Sequence, residues 1–440
     1  MVINRQKKGS FVSIRKGSNY WAQHARNIEA WKNGALCEVM PLTLEYAPIL
    51  ACDMNCPGCP FARSRRSNCN GRIPKQEYAS MDDVSSSTRE TAMKVLEESA
   101  LAGVKAVLWT GGGEPLIWPI LPDMIEYSAS LGMVNALYTN GVMLGRNPEI
   151  SKKLLSPSMK MMFIRVSINA ISPMTIRRHW GVKDPEDVYP QLDGLKSLLK
   201  ARKKVAEKIK EVGGHVPNIQ ISTIIDKVNL SDLFPICETV SGILKEYTNS
   251  MEEGDSMVVR PITNHRANIY STNDHEDYVI DEIINICGTK GQGNKIMNES
   301  GMPVYLGFGL NLIESGAYQS YSELLRAEYQ SRDFAWANGL FLTVGPDSSV
   351  HLCTEKNCDP KWAFGKLTEK SVYELYNGQE RKKILEMVHK YKLGPEVMEP
   401  NTRSTRLDKI ARAIHNGSLT DSEIKYIRQL SELDPPLLLS

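Results

Sequence analysis

Six short β-rich runs alternate with helical stretches between residue 42 and about residue 264. The predicted strands are residues 42–50, 104–110, 134–139, 161–168, 219–225 and 257–262. The intervening stretches are amphipathic, as in SSSTRETAMKVLEESALAG, where Ser or Thr can cap the helix start and Gly103 can end it. This alternation is typical of βα units around a parallel sheet, and six units suit a partial (β/α)6 TIM-like barrel of the α/β class.

Composition indicates an ordinary globular chain and excludes several classes of partner. Its 440 residues are 42% hydrophobic and 24% charged, enough for one large domain and a smaller one. A net charge of +2 gives no electrostatic case for nucleic acid or an anionic membrane. No apolar run approaches the roughly 18 residues of a membrane span. The N-terminal stretch MVINRQKKGSFVSIRKG has no apolar signal core, and the nine cysteines are an odd number, so we expect a cytoplasmic protein with reduced thiols.

The stretch ACDMNCPGCPF, residues 51–61, places Cys52, Cys56 and Cys59 directly after the first predicted strand. Proline and glycine residues within it disfavour a helix or a strand, so it is predicted to be a loop. Three ligand sets fit such a loop: disulfides, a zinc ion with Cys69 as a distant fourth ligand, or a 4Fe-4S cluster with one iron open to a non-protein ligand. The odd number of cysteines and the missing signal core argue against disulfides. The spacing favours the cluster, with a zinc site or a merely structural loop as the remaining alternatives.

A second motif, WTGGGEPL, ends the second predicted strand. Its glycines let the backbone approach a ligand closely, and Glu114 adds one fixed negative charge. Glycines after a strand are often only a tight turn. One strand away from three cysteines, however, this turn can hold a zwitterion, with the carboxylate bound to an ammonium group.

CxxxCxxC after the first strand and GGEP after the second together resemble the radical S-adenosylmethionine (radical SAM) superfamily, over about residues 42–265. The resemblance implies that Cys52, Cys56 and Cys59 ligate one 4Fe-4S cluster. It also implies that the open iron binds the amino and carboxylate groups of S-adenosylmethionine. Reductive cleavage would then give methionine and a 5′-deoxyadenosyl radical that abstracts hydrogen from a substrate. The chain departs from the family at Gly58, where an aromatic residue is usual, and Phe61 is the nearest replacement.

The same resemblance implies further cosubstrate contacts at the ends of the strands. Gly112, Gly113 and Glu114 would hold the amino group of S-adenosylmethionine.

The later strands end in YTNG and VSIN. Tyr138 and Asn140 would face the cosubstrate, and Ser167 and Asn169 would reach its ribose or carboxylate. Polar residues at strand ends also cap helices, which is the structural alternative. Arg260, in VVRPITN, is a weak catalytic candidate that would contact the cosubstrate carboxylate or the substrate, with a structural ion pair as its alternative. No other catalytic group is identified.

The rest of the chain suggests a division into four parts. These are an N-terminal extension (1–41), the barrel (42–265), a smaller α+β extension (266–390) and a helical tail (391–440). Residues 340–353 are predicted to form a hairpin with GPDS as its turn, followed by the strand and capped helix of FGKLTEKSVYELY. This resembles the SPASM or twitch extension of radical SAM enzymes, which commonly carries auxiliary clusters.

The extension has too few cysteines for an auxiliary cluster to be expected. Besides Cys287 it offers only Cys353 and Cys358, and both Cys287 and Cys237 of the barrel lie in helical patterns and are predicted to be buried. We therefore predict an extension that has lost its cluster.

The substrate is predicted to be a small polar molecule, such as a sugar, an aminocyclitol or an aminoglycoside-like compound. The reaction would be a dehydration, dehydrogenation or epimerisation, with a flavodoxin or ferredoxin as the reducing partner. Peptide-modifying members of the superfamily often carry a longer N-terminal recognition domain than residues 1–41. A peptide maturase remains the alternative, and a non-catalytic metal-binding protein is the more remote one.

Overall fold

The computed structural model describes residues 25–35, 38–57, 59, 86–211, 213–247, 251–252, 254–262, 277–307, 310–321, 323–324, 338–353, 360–390, 411 and 413–418. Gly58, Phe61, Cys69, Cys358 and most of the predicted C-terminal tail lie outside these residues.

One sheet of ten strands organises the described part of the chain, with the spatial order β10-β9-β8-β1-β2-β3-β4-β5-β6-β7. The strands are β1 (Thr43–Tyr46), β2 (Ala106–Trp109), β3 (Val134–Thr139), β4 (Met161–Ser167), β5 (Asn218–Ile225), β6 (Ser256–Pro261), β7 (Val304–Leu306), β8 (Phe341–Val344), β9 (Ser349–His351) and β10 (Ala363–Lys366). All six predicted strands are present as β1 to β6, paired in parallel and in chain order. The fold is therefore the expected α/β partial barrel, and β10 and β7 are the two open edges of its described sheet.

Helices follow most strands. They are α1 (Ala25–Lys32), α2 (Arg89–Leu101), α3 (Leu121–Ser130), α4 (Val142–Arg146), α5 (Pro148–Leu154), α6 (Pro173–His179), α7 (Pro190–Glu211), α8 (Leu233–Glu246), α9 (Asp277–Cys287), α10 (Gln292–Glu299), α11 (Leu310–Glu314), α12 (Val372–Tyr376) and α13 (Gln379–Lys390). Helix α2 confirms the capping prediction, because the Thr88 hydroxyl accepts from the Thr91 N–H and Gly103 follows with φ +89°.

The two faces of the sheet differ in what covers them. Residues such as Leu44, Val107 and Ile221 belong to the main apolar core that they share with the helices. Alternate residues point the opposite way, and there Ala106, Leu108, Ala136, Met162 and Phe163 form a separate small cluster. We call this second side the inner face. The small alanine side chains leave room there for larger neighbours.

The predicted hairpin of residues 340–353 is confirmed as β8 and β9, which pair antiparallel. Strand β8 also pairs in parallel with β1, so the hairpin extends the barrel sheet directly. Helix α12 begins with the capping box of Ser371 and Glu374, as the sequence pattern predicted. Cys237, on α8, and Cys287, at the end of α9, are buried as predicted.

A fully buried ion pair joins the end of the barrel wall to its longest helix. Arg202, on α7, donates to both oxygens of Asp255 at 2.6 and 2.7 Å, just before β6. Asp255 also accepts from the backbone N–H of Ile219 at 2.8 Å. Because both side chains are withdrawn from water, losing either partner would leave an uncompensated buried charge.

Candidate active site

The cysteine loop begins five residues beyond the end of β1, at the sheet edge where β2 and β3 also end. Cys52, Cys56 and Cys59 are each half-buried. The backbone N–H of Met54 donates to the Cys52 sulfur at 3.4 Å, and Cys59 N–H donates to the Cys56 carbonyl at 3.1 Å. A hydrogen bond to sulfur favours the thiolate, which is the form that binds metal.

A turn after α6 fixes one side of this loop. Asn55 N–H donates to the Trp180 carbonyl at 3.0 Å. At Gly181, φ is +62° and an added Cβ would lie 2.0 Å from the Asn55 carbonyl oxygen, so no larger residue fits without movement. The Trp180 ring lies in an apolar cluster against which Cys52 and Cys56 pack. The loop therefore has a dry wall on this side.

The glycine turn after β2 lies against the other side of the loop. A Cβ added at Gly113 would lie 2.0 Å from the Ala51 carbonyl oxygen, and Glu114 N–H donates to that same oxygen at 2.8 Å. The two motifs singled out from the sequence are thus in direct backbone contact. Glycine is required at position 113 for this close approach.

Glu114 is almost fully buried, at 3% exposure. Its carboxylate accepts from the Thr139 hydroxyl at 2.7 Å, the Asn140 N–H at 2.7 Å and the Leu116 N–H at 3.0 Å. Burial, and next the negative charge of Asp53, raise the pKa of Glu114 to about 8 despite these hydrogen bonds. The site therefore holds a carboxyl group that gains from a nearby positive charge or N–H donor.

Asp53, directly after Cys52, is the second carboxyl group of the site, and the sequence analysis did not identify it. Its Oδ1 accepts from the Asn140 side-chain amide at 2.6 Å, so Asn140 bridges Asp53 and Glu114. Its Oδ2 is buried and has no hydrogen-bond partner in the described structure. Burial raises the pKa of Asp53 as well. Adjacency to the first cysteine was the available signal, but burial could not be read from it.

The carboxyl groups of Asp53 and Glu114 can be compared with what the amino group of S-adenosylmethionine requires. Neither Asp53 nor Glu114 forms an ion pair within the described ranges. An amino group placed between them would supply N–H donors to the orphaned Oδ2 and relieve the repulsion. The donor set therefore fits the amino end of this cosubstrate.

The arrangement of the thiols bears on the metal. Among the described residues, no three His, Cys, Asp or Glu side chains are grouped as ligands of one metal ion. A structural zinc ion would draw its thiolates together at about 2.3 Å from one centre. Ligands of an iron-sulfur cluster bind different irons, and the feature that favours a cluster here is the sequence spacing of Cys52, Cys56 and Cys59.

Of the other residues predicted to contact the cosubstrate, some lie at the ends of the strands and others along the inner face of the sheet. Asn169 is buried, with its side-chain oxygen accepting from Ile224 N–H at 2.9 Å, so its amide links β4 to β5. Ser167 is half-buried at the end of β4, and its carbonyl accepts from the Gln191 amide. Tyr138 lies on the inner face, as does Arg260 two positions beyond Val258 on β6. The structure brings Gly113, Glu114 and Asn140 to the cysteine loop and leaves Tyr138 and Arg260 along the inner face.

Comparison with known protein families agrees with this geometry. The family model of the Radical SAM superfamily matches residues 46–240, which include the cysteine loop, the glycine turn and β2 to β5. The protein therefore contains a domain of the Radical SAM superfamily over residues 46–240, and it is an enzyme. Enzymes of this superfamily use a 4Fe-4S cluster and S-adenosylmethionine, so the predicted cofactors are confirmed. They also need a reductant and a substrate.

Solved structures agree on the fold. SuiB of Streptococcus suis bound to the precursor peptide SuiA has a TM-score of 0.52 and 13% identity, covering 82% of this chain and 70% of that chain. A second structure of SuiB from the same organism has a TM-score of 0.50 and 14% identity, covering 83% of this chain and 72% of that chain. Identity at this level shows a shared fold and does not extend to the substrate. No helix in the described ranges is long and apolar enough to cross a bilayer.

Proposed function

We propose that this protein cleaves S-adenosylmethionine at a 4Fe-4S cluster held by Cys52, Cys56 and Cys59, and that the resulting radical acts on a small polar molecule. The observation that supports it most is the pair of carboxyl groups of half-buried Asp53 and buried Glu114, which lie at the cysteine loop; the buried Oδ2 of Asp53 has no hydrogen-bond partner among the described residues. These two carboxyl groups beside three half-buried thiols would suit a metal cluster and an amino group together.

When bound, the cluster supplies the electron that breaks the sulfonium bond of S-adenosylmethionine. The chain's own residues orient the cosubstrate. Glu114 and Asp53 would accept hydrogen bonds from its amino group, and the backbone of Gly112 and Gly113 would lie along it.

Further residues would complete the cosubstrate site. Asn140 holds both carboxylates in place through its backbone N–H and its side-chain amide. Ser167, Asn169 and Tyr138 are proposed to contact the rest of the cosubstrate. The apolar wall around Trp180 would exclude water from the thiolates.

The inner face of the sheet supports a polar substrate. Across β4, β5 and β6 it presents Arg165, Ser167, Gln220, Ser222 and Arg260 at successive inward positions. Arg165, Ser167 and Arg260 are half-buried, so part of each residue remains exposed. Hydrogen-bonding groups on a partly enclosed surface suit a ligand rich in hydroxyl or charged groups.

The proposal is tested by anaerobic reconstitution of the full chain, with iron and sulfide analysis and titration with S-adenosylmethionine. We expect about four iron atoms per chain and a spectroscopic change of the cluster on adding the cosubstrate. Sugars, aminocyclitols and short peptides are then compared for their ability to accelerate 5′-deoxyadenosine release under a flavodoxin reducing system. Acceleration by peptides alone would replace the small-molecule assignment by the peptide alternative. An absence of bound iron would overturn the proposal as a whole.

A further inference from the structure

Arg165 lies on the inner face between two strands whose residues hold it from both sides. Tyr138 on β3 and Gln220 on β5 are its direct register partners. Its Nη1 donates to the Tyr138 hydroxyl at 3.0 Å, and its Nε and Nη2 donate to the Gln220 side-chain oxygen at 3.2 and 2.8 Å. Tyr138 and Gln220 stand opposite Arg165 in the register of the three strands, which we call the same level of the sheet. Because both partners lie at this level, the guanidinium group stays there too.

Aromatic rings fix the same group further. The guanidinium carbon lies 4.6 Å from the centre of the Tyr138 ring and 5.7 Å from that of Phe163. The two rings are themselves 6.1 Å apart. Stacking and hydrogen bonding therefore hold Arg165 in one conformation, so little side-chain entropy remains to be lost when a ligand binds.

The charge of Arg165 is not neutralised by these neighbours. Tyr138, Phe163 and Gln220 are all neutral, and within the described structure Arg165 has no ion pair. The three hydrogen bonds use three of the five N–H groups of a guanidinium, which leaves one on each terminal nitrogen. Arg165 and Tyr138 are both half-buried rather than sealed. The Arg165 guanidinium is therefore a cation that is held in place, partly exposed and without an ion pair among the described residues, which suits it to bind an anion.

The level of Arg165 separates it from the cosubstrate site. Ser167, the next inward residue of β4, stands two residues nearer the cysteine loop, which is about 6.6 Å along a strand. Asp53 and Glu114 lie beyond the ends of β1 and β2 at that same edge. Arg165 thus lies one level deeper in the barrel than Ser167, Asp53 and Glu114.

We infer that the substrate carries an anionic oxygen group, a carboxylate or a phosphate, which binds to Arg165 on the inner face of the barrel. The inference names the substrate class of the proposed function and rests on it. Carboxylate and phosphate groups each present two oxygens that can accept from the two free N–H groups of the planar guanidinium, and such charge-assisted pairs are strong where water is partly excluded. Sugars and aminocyclitols without an acidic group, as expected from the sequence, would leave this cation without an anionic partner.

The anion site is tested first with inorganic phosphate and with acetate on the reconstituted full chain. Binding is followed by the broadening of the phosphate phosphorus resonance and by the rise in melting temperature at constant ionic strength. We expect Arg165→Gln to weaken phosphate binding by roughly tenfold or more, and Arg165→Lys to restore part of it. Lys203→Gln, which removes one exposed charge from α7, should bind phosphate as the wild type does. Equal phosphate binding by the wild type and Arg165→Gln would overturn the inference, as would no binding by the wild type at millimolar phosphate.

A second measurement identifies the source of the anion and remains informative if Arg165→Gln does not fold. The affinity for S-adenosylmethionine should be the same in Arg165→Lys and the wild type, and a loss of that affinity alone would assign Arg165 to the cosubstrate carboxylate instead. In the wild type, D-gluconate or D-glucose 6-phosphate should accelerate 5′-deoxyadenosine release more than D-glucose does. Equal effects of all three would contradict an anionic substrate. No cosubstrate cleavage under any condition would instead refute the proposed function, leaving the phosphate result to stand by itself.

Discussion

Replacing Glu114 with Gln should weaken the binding of S-adenosylmethionine in a manner that depends on pH. A hydrogen bond to a charged group contributes about 1.5 to 3 kcal/mol, so near pH 8.5 we expect a loss of roughly 10- to 150-fold. The pKa of Glu114 in the free protein is raised to about 8 by its burial and by Asp53. At about pH 6.5 the wild type must first lose this proton, at a cost of about 1.4 kcal/mol per pH unit, or roughly 2 kcal/mol. The wild-type advantage should therefore shrink to a few-fold at most.

The assay is equilibrium binding of S-adenosylmethionine to reconstituted wild type and variant at the two pH values. Titration of the cosubstrate amino group is common to both proteins and cancels in the ratio of their affinities. Iron content should be unchanged in the variant. A ratio that is the same at both pH values, or that equals one at high pH, would refute the assignment of Glu114 to the amino group.

The same raised pKa has a consequence for stability in the absence of the cosubstrate. A carboxyl group whose pKa is higher in the folded state binds its proton more tightly there than in the unfolded chain. The contribution of Glu114 to the free energy of unfolding therefore falls as pH rises from its ordinary value of 4.5 to about 8. In Glu114→Gln this part of the fall should be absent, which chemical denaturation over that pH range would reveal.

Three further changes test separate parts of the structure. Gly113→Ala should lower both the iron content and the melting temperature, because the added Cβ would lie 2.0 Å from a backbone oxygen. The control Gly242→Ala has open space around the added Cβ in α8 and should stabilise the chain by about 0.5 to 1 kcal/mol. Asp255→Asn should cost about 3 to 5 kcal/mol in urea unfolding because it leaves a buried arginine uncompensated, and a loss below 1 kcal/mol would contradict that account. Joint replacement of Cys353 and Cys358 by Ala should leave about four iron atoms per chain, and a halving of the iron content would show an auxiliary cluster.

The barrel strands were predictable because their signal is local. Each of β1 to β6 is a short apolar or alternating run bounded by turn residues, and the hairpin of β8 and β9 carries its own turn. Strand β7 was missed because its three residues are too few to show a period. The parallel pairing of β8 with β1 was also missed, since it joins segments about 300 residues apart and depends on packing that no local pattern records.

The residues of the candidate site also fall into two groups: those that a local motif reveals and those that only the folded structure reveals. The cysteines and Glu114 belong to motifs whose spacing is visible in the chain, whereas Asp53 gains its importance only from burial and from the bridge made by Asn140. Arg165 sits in an unremarkable strand, MMFIRVS. Its role emerges only from the register that places Tyr138 and Gln220 beside it. Contacts across strands are fixed by tertiary structure, so sequence alone could not supply them.

The central claim is that Cys52, Cys56 and Cys59 hold the cluster that cleaves S-adenosylmethionine. The most direct test is the amount of 5′-deoxyadenosine and methionine formed by the reduced, reconstituted wild type beside Cys56→Ala and Cys237→Ala, the latter removing a buried thiol of α8. Because a three-thiolate site has no spare ligand, the account predicts both products in equal amounts from the wild type and Cys237→Ala, and neither from Cys56→Ala. Full cleavage by Cys56→Ala, or no cleavage by an iron-loaded wild type, would contradict it.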